Sequence, residues 1–247
     1  MTSGEINEAS APDMESIGDL LRASTYPGRG IILGLSEDGK ASVLLYFTMG
    51  RSVNSRNRIF ERTHDGIRTA AFDPAKLTDP DLVIYNAVRA CKGQTIVTNG
   101  DQTDTIYEHL IKDCDFRSAL RTREFEPDAP LYTPRISGLV GPDGSYCLSI
   151  LKTLNGDSAR CCRYFFEYPA AFPGEGHFIS TYVTDGNPPP SFKGEPIPVK
   201  ITVATGLEAF AQTVWDALND ENKVSLYARE TAIATGEIYD MIINKNG

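Results

Sequence analysis

Apolar residues in this chain fall mostly into short runs bounded by glycine, proline and Asp-Gly turns, the pattern of strands rather than of long helices. The clearest case is Gly30-Ile-Ile-Leu-Gly-Leu35, followed across Asp38-Gly39 by Ala41-Ser-Val-Leu-Leu-Tyr-Phe-Thr48, a hairpin signature. Both arms are apolar on both faces, which predicts central strands covered from each side. Further strands are predicted over Ile67–Phe72, Leu82–Val88, Thr95–Thr98, Ile136–Leu139, Tyr146–Leu154, Arg160–Tyr168, His177–Thr184, Ile201–Val203 and Lys223–Ile233. Helical spacing occurs within Asp13–Arg22, over Gln102–Lys112, and over Gly206–Leu218, where Leu207, Phe210, Ala211, Val214 and Leu218 share a stripe. Many strands and few, widely separated helices predict an α+β architecture of stacked sheets flanked by helices. Residues 1–12 are small and polar and read as a loosely packed leader, and residues 13–247 read as one domain. Pro188-Pro-Pro190 is a rigid corner too short to separate two.

A chain of 247 residues is long enough to bury a sizeable core. Its net charge of -9 argues against a broad nucleic-acid surface, which needs a basic face. No apolar run approaches the roughly 18 residues that span a bilayer, and no secretory signal pattern is present, so a cytoplasmic protein without a membrane partner is expected. The five cysteines, Cys91, Cys114, Cys147, Cys161 and Cys162, are odd in number and have no Cys-x-x-Cys spacing. His64, His109 and His177 are scattered, so neither a disulfide framework nor a metal site is expected. Cys161 and Cys162 are adjacent on a predicted strand and should point to opposite faces.

Against that acidic background, Thr48-Met-Gly-Arg-Ser-Val-Asn-Ser-Arg-Asn-Arg58 places Arg51, Arg56 and Arg58 in one polar segment. Guanidinium groups match phosphate or carboxylate two bonds at a time, so the segment points to an anion, with a solvated turn as the competing reading. Three other turn-rich segments lie beside apolar strands. Tyr26-Pro-Gly-Arg-Gly30 lets backbone approach a ligand while Arg29 points at it. Val97-Thr-Asn-Gly-Asp-Gln-Thr-Asp-Thr105 carries Asn99, Asp101 and Asp104; Asp101 is equally explained as a helix cap and Asp104 by the helix dipole. In Phe172-Pro-Gly-Glu-Gly-His177, Glu175 sits between two glycines with His177 close behind, a pair suited either to proton transfer or to packing.

Taken together, Tyr26-Pro-Gly-Arg-Gly30, Arg51-Ser-x-x-Ser-Arg-Asn-Arg58, Asn99-Gly-Asp-Gln-Thr-Asp104, Pro173-Gly-Glu-Gly-x-x-Ile-x-Thr-Tyr182 and Pro190-Ser-Phe-x-Gly-Glu195 resemble, in order, the archaeal-type IMP cyclohydrolase family. The resemblance implies a four-layer αββα sandwich of two mainly antiparallel sheets, similar to the N-terminal-nucleophile hydrolases but without self-cleavage. It also implies closure of 5-formamidoimidazole-4-carboxamide ribonucleotide to IMP with loss of water and no cofactor, in a homo-oligomer. The chain departs from the family in its polar leader and in extra length around Asp65–Lys92.

For that reaction, Arg29, Arg51, Arg56 and Arg58 are the candidates for the 5'-phosphate, with Ser52, Asn54 and Asp101 beside them for phosphate or ribose. Developing charge on the formyl oxygen calls for Asn99, Asn54 or an arginine. Dehydration of the tetrahedral intermediate calls for Glu175, Asp104, Tyr182 or His177. Two alternatives remain at this level. An amidohydrolase of the N-terminal-nucleophile type would need a Cys, Ser or Thr opening a core strand, whereas Thr2 lies in the leader. A non-catalytic nucleotide-binding module would keep the arginines without the proton chemistry.

Overall fold

The computed structural model describes residues 14–78, 80–169 and 172–247. The polar leader of residues 1–12 lies outside them. Two antiparallel sheets dominate. The first has six strands in the order β11-β10-β1-β2-β12-β13: β1 Arg29–Leu35, β2 Ala41–Met49, β10 Glu175–Ser180, β11 Ile197–Lys200, β12 Lys223–Ala232 and β13 Ile238–Asn244. The second has seven in chain order, β3 Arg58–Arg62, β4 Gly66–Ala71, β5 Asn86–Cys91, β6 Gln94–Thr98, β7 Arg135–Val140, β8 Tyr146–Leu154 and β9 Asp157–Tyr168. The helices are α1 Ile17–Arg22, α2 Val53–Arg56, α3 Pro80–Val83, α4 Gln102–Ile111, α5 Phe116–Arg121 and α6 Leu207–Ala217.

Period-two alternation sorts the buried side chains into three layers. Ile31, Leu33, Leu44 and Tyr46 of the first sheet meet Val88, Val97, Ile136 and Leu148 of the second between the sheets. On the other face of the first sheet, Ile32, Leu45 and Phe47 pack against Leu21 of α1 and Leu207, Phe210 and Val214 of α6. On the outer face of the second sheet, Ile96, Leu139 and Leu151 pack against Ile106 and Leu110 of α4 and Phe116 and Leu120 of α5. The result is the expected αββα sandwich. Among the described residues, no helix is long and apolar enough to cross a membrane.

The hairpin β1–β2 forms as its pattern predicts, Ile31 pairing Tyr46 and Leu33 pairing Leu44. Cys161 packs in the α4/α5 layer while Cys162 faces a cleft, as their adjacency on β9 requires. Elsewhere the boundaries differ. The predicted strand Leu82–Val88 begins as α3, because Pro80 pre-sets a helical turn that Ile84 closes by donating to its carbonyl at 2.8 Å; the strand starts at Asn86. The strand predicted over His177–Thr184 starts at Glu175 and ends at Ser180, after which Thr181 and Tyr182 bond back to Arg29 and Pro27. In place of Ile201–Val203, the strand is Ile197–Lys200, an edge partner of β10 whose Pro198 sits where an edge tolerates proline. Asp101 does not cap α4 through its side chain; its carboxylate goes to Arg123 and Arg135 instead. The polar strand β3, the half-exposed edge strand β13 and the short helix α5, capped by Asp115 accepting from Ser118 N, are not foreseen from hydrophobic pattern.

Because Ile31 is fully buried between the sheets, Ile31→Ala should cost about 2–5 kcal/mol in urea unfolding, whereas Phe172→Ser, at an exposed position, should stay within about 0.5 kcal/mol of the parent.

Candidate active site

A pocket of about 260 Å³ opens where the N-terminal end of β1, the segment after β2 and the 126–133 segment converge. Its wall includes Arg29, Arg51, Ser52, Asn54, Arg58 and Tyr182 from the sequence-predicted set, joined by Tyr26, Ser55, Glu126, Asp128, Leu131 and Thr133. The local chain is shaped for this convergence. Gly28 has φ +79°, and a Cβ there would lie 2.3 Å from Thr181 Oγ1 and 2.7 Å from the Tyr182 ring, so only glycine lets Tyr26-Pro-Gly-Arg29 lie against Thr181-Tyr182. Tyr26 stacks on Tyr182 with ring centroids 6.0 Å apart, and the Arg51 guanidinium lies 4.8 Å over the Tyr26 ring. Ser52 and Ser55 cap the short helix α2 reciprocally, which turns the chain from β2 toward β3 and its first residue, Arg58.

Two arginines are buried in this wall. Arg58 donates to the carbonyls of Ser55 at 2.9 Å and Met49 at 3.3 Å, has no carboxylate partner among the described residues, and leaves Nη1 unpartnered. Burial and the like charge of Arg29 lower its pKa. Arg29 also leaves Nε unpartnered, and its Nη2 is 3.9 Å from Glu126. Burial works against the Arg29 charge, but Glu126 and the neighbouring tyrosines outweigh it and its pKa is raised. Glu126 is itself pushed up to about 7 by burial, against the pull of Arg29 and Arg135. Such a carboxyl can hold a proton near neutral pH.

A second polar chain lines the same wall. Thr133 Oγ1 lies 2.8 Å from Tyr182 Oη and also bonds Asp128, which accepts from Thr133 N at 2.7 Å. If Thr133 gives its one hydroxyl proton to Asp128, its oxygen is left to accept from Tyr182. Burial raises the Tyr182 pKa to about 12, against the nearby Arg29. The phenol is therefore a donor at neutral pH.

The remaining predicted residues stand elsewhere. Asn99 lies behind the pocket: it accepts from Ile136 N at 2.8 Å and Gln102 Nε2 at 3.1 Å, and donates to Pro134 O at 2.9 Å and Glu126 Oε1 at 3.3 Å. All its capacity is used, one bond of it in orienting Glu126. Asn54 lines the mouth with its amide bonded to Thr78. Arg56 does not line the pocket; it donates to Gly50 O at 3.0 Å and Asn222 Oδ1 at 2.8 Å. Asp104 bonds Asn86 and Arg89, and Arg89 also stacks over Tyr107.

Glu175 and His177 are at the opposite end of β10, roughly 20 Å along the strand from the pocket. His177 Nδ1 is 2.7 Å from Tyr146 Oη, its ring stacks on Tyr168 at 3.9 Å, and burial lowers its pKa to about 4, the surroundings of a packed, neutral imidazole.

Sequence reasoning missed Glu126, Asp128 and Thr133. The only signal was two carboxylates among prolines in Glu126-Pro-Asp128-Ala-Pro130, a stretch with no hydrophobic period.

The sequence profile of a family described as IMP cyclohydrolase-like protein matches residues 26–235 of this chain. Among similar proteins, IMP cyclohydrolase of Halobacterium salinarum is 31% identical over 131 residues, 51% of this chain and 63% of its own length. IMP cyclohydrolase of Methanococcus aeolicus is 26% identical over 125 residues, 49% of this chain and 61% of its own. IMP cyclohydrolase of Methanopyrus kandleri is 29% identical over 145 residues, covering 53% and 71%. The chain thus spans between 61% and 71% of the length of these relatives.

Two outcomes follow from the pocket's electrostatics. Inorganic phosphate should raise the melting temperature above that in chloride of equal ionic strength, by an amount equivalent to about 2.7 kcal/mol at a hundredfold excess over Kd, and Arg58→Met should remove most of that rise. Folding raises the Glu126 pKa, so its contribution to stability is complete below about pH 4.5 and lost as pH climbs through about 7. Glu126→Gln should therefore flatten the pH dependence of urea stability across that window, by about 3 kcal/mol at most.

Proposed function

The chain belongs to the IMP cyclohydrolase-like family, and from that premise we propose that it closes 5-formamidoimidazole-4-carboxamide ribonucleotide to IMP with release of water. The observation that carries this reading is the pair of buried arginines, Arg29 and Arg58, with unpartnered N–H groups beside a carboxyl that titrates near 7. Such a wall joins an anion-binding surface to a group able to transfer a proton near neutral pH, as a phosphorylated substrate undergoing dehydration requires.

In this scheme Arg29 and Arg58 bind the 5'-phosphate from within, and Arg51 binds it from the mouth, where it already bonds Asp185 and Gly186 O. The substrate's carboxamide nitrogen adds to its own formyl carbon. One N–H proton leaves that nitrogen and the formyl oxygen gains one, giving a cyclic carbinolamine. The new hydroxyl then departs as water with a second proton, and the former formamide nitrogen loses its hydrogen to form the C=N bond. Glu126, protonated, supplies the proton to the departing hydroxyl, and its carboxylate then takes the hydrogen that the former formamide nitrogen loses. Tyr182, its hydroxyl turned from Thr133 to the substrate, passes a proton to the formyl oxygen and takes in its place the one that the carboxamide nitrogen releases. Holding the two reacting groups of one molecule against each other contributes the largest part, about 7–11 kcal/mol where orientation is complete. Asn99 serves this scheme as a positioning residue, through its bond to Glu126.

The N-terminal-nucleophile alternative finds no support in β1, which opens on Arg29 rather than on a Cys, Ser or Thr.

The test is IMP formation from the formamido-carboxamide ribonucleotide, followed by absorbance with and without EDTA. Turnover should be unchanged by EDTA, and kcat/KM should fall as pH rises through about 7. Glu126→Gln should lower kcat by about 10²–10⁴ and abolish that limb. Tyr182→Phe should lower kcat with little change in KM, and Arg29→Gln should raise KM. Binding of the nucleotide without turnover at any pH would overturn the catalytic reading in favour of a binding module.

A further inference from the structure

A second cleft of about 660 Å³ adjoins the first at Leu131. It lies between the end of the β8–β9 hairpin, with its Asn155-Gly156 turn, and the segment from Pro188 to Gly194. Its lining contains two lysines, Lys152 and Lys193, and no aspartate or glutamate, although the chain as a whole carries 33 acidic residues against 24 basic ones. Neither lysine has a carboxylate partner among the described residues. Lys152 donates to the carbonyl of Phe192 and lies 5.4 Å over the ring of Tyr164, which is 43% exposed. Burial lowers the Lys152 pKa; the Cys162 thiol in the same lining opposes this and the Lys193 charge adds to it. Glu195, two residues beyond Lys193, is not part of the lining.

Lys152 meets the Phe192 carbonyl and the Tyr164 ring, but neither it nor Lys193 has a carboxylate partner among the described residues, so two like charges share one cleft that an anion would neutralise. The aromatic face takes a flat heterocycle, the ammonium groups take a phosphate, and Pro188, Pro189, Pro190, Leu131 and Leu154 supply a stiff apolar rim. The volume is in the range that accepts a nucleotide-sized ligand.

We infer that this cleft is a binding site for a second heteroaromatic phosphate, of mononucleotide size, distinct from the pocket of Arg29 and Arg58. The two sites are mechanically joined. Leu131 lines both, and Thr133, two residues on, contacts Tyr182 and Asp128. An occupant of the cleft therefore bears on the segment that carries the proton-transfer wall.

The probe is AMP, titrated calorimetrically into the full chain carrying Arg29→Gln, which weakens the first pocket. One equivalent should bind, and adding Lys152→Gln with Lys193→Gln should weaken it at least tenfold. Adenosine alone and inorganic phosphate alone should each bind at least tenfold more weakly than AMP. Tyr164→Ser, at an exposed position, supplies a second variant should the lysine pair disturb folding, and it too should weaken AMP. No binding to Arg29→Gln, or binding indifferent to both lysines and to Tyr164, would overturn the inference. So would a rise in KM for ring closure in the lysine variant together with a single equivalent bound by the parent chain, since the cleft would then be part of the first site. Because AMP binding is read without turnover, failure of the ring-closure assay leaves this result to stand or fall separately.

Discussion

Two buried guanidinium groups lining one pocket, beside a buried carboxyl whose pKa burial pushes up to about 7, impose the constraint around which the rest of this site is arranged. Arg29 opens β1 of the six-stranded sheet and Arg58 opens β3 of the seven-stranded one, so the two charges arrive from different layers of the sandwich. Withdrawing either ion from water costs several kcal/mol after relaxation, and carbonyls of Met49 and Ser55 offset only part of that for Arg58. Glu126 can neutralise Arg29 only in its ionised form, yet burial holds its pKa near 7. The two buried charges are therefore only partly offset by the protein itself, and the phosphate of the proposed substrate would complete the balance. Of the many carboxylates in a chain of net charge -9, the pocket lining holds two, Glu126 and Asp128, and Asp128 is engaged by Thr133.

The proton-transfer wall follows from how the loops are tied to the sheets. Thr181 N bonds Arg29 O and Tyr182 N bonds Pro27 O, so the chain leaving β10 is laced to the chain entering β1, and Tyr182 is set beside Arg29. On the other side, Glu126 N bonds Thr133 O, closing the 126–133 segment on itself and bringing Glu126, Asp128 and Thr133 to one wall. Behind it, Asn99 and Gln102 bridge to Ile136, and Arg135 reaches Gln102 and Asp101. That buried network orients Glu126 from outside the pocket. It also explains why the Asn99–Asp104 segment is rich in polar residues without any of them facing the cavity.

Much of the fold was legible because burial on both faces leaves a plain trace: β1, β2, β8 and α6 were readable from apolar runs, Arg29, Arg51 and Arg58 from arginine and glycine placement, and Tyr182 only from the family resemblance. What was not legible has physical causes. The edge strand β11 is broken up by prolines that an edge tolerates, and β13 is half exposed, so neither carries a two-faced apolar run. Glu175 and His177 looked like chemistry because a carboxylate and an imidazole stand close in sequence. Strand geometry carries them to the far end of the sheet, where Tyr146 and Tyr168 occupy the imidazole. Glu126 and Asp128 were invisible for the opposite reason. Their meaning depends on Arg29 and Thr133, and the Arg29 contact is made across almost a hundred residues of chain.

The same constraint links binding to proton supply. Within the protein, burial drives the Glu126 pKa up while Arg29 and Arg135 draw it down, and the balance falls near 7. An anion seated on Arg29 would add its own negative charge beside Glu126 and use the guanidinium that had favoured ionisation. Both changes act in one direction, toward the protonated acid. A phosphate bound by the arginines as proposed would thus load the proton that the proposed dehydration consumes, and its departure would let that proton go. In that proposal the weak carboxyl of Glu126, beside Arg29, serves two ends: it leaves room for the anion, and it makes the acid form depend on the anion's presence.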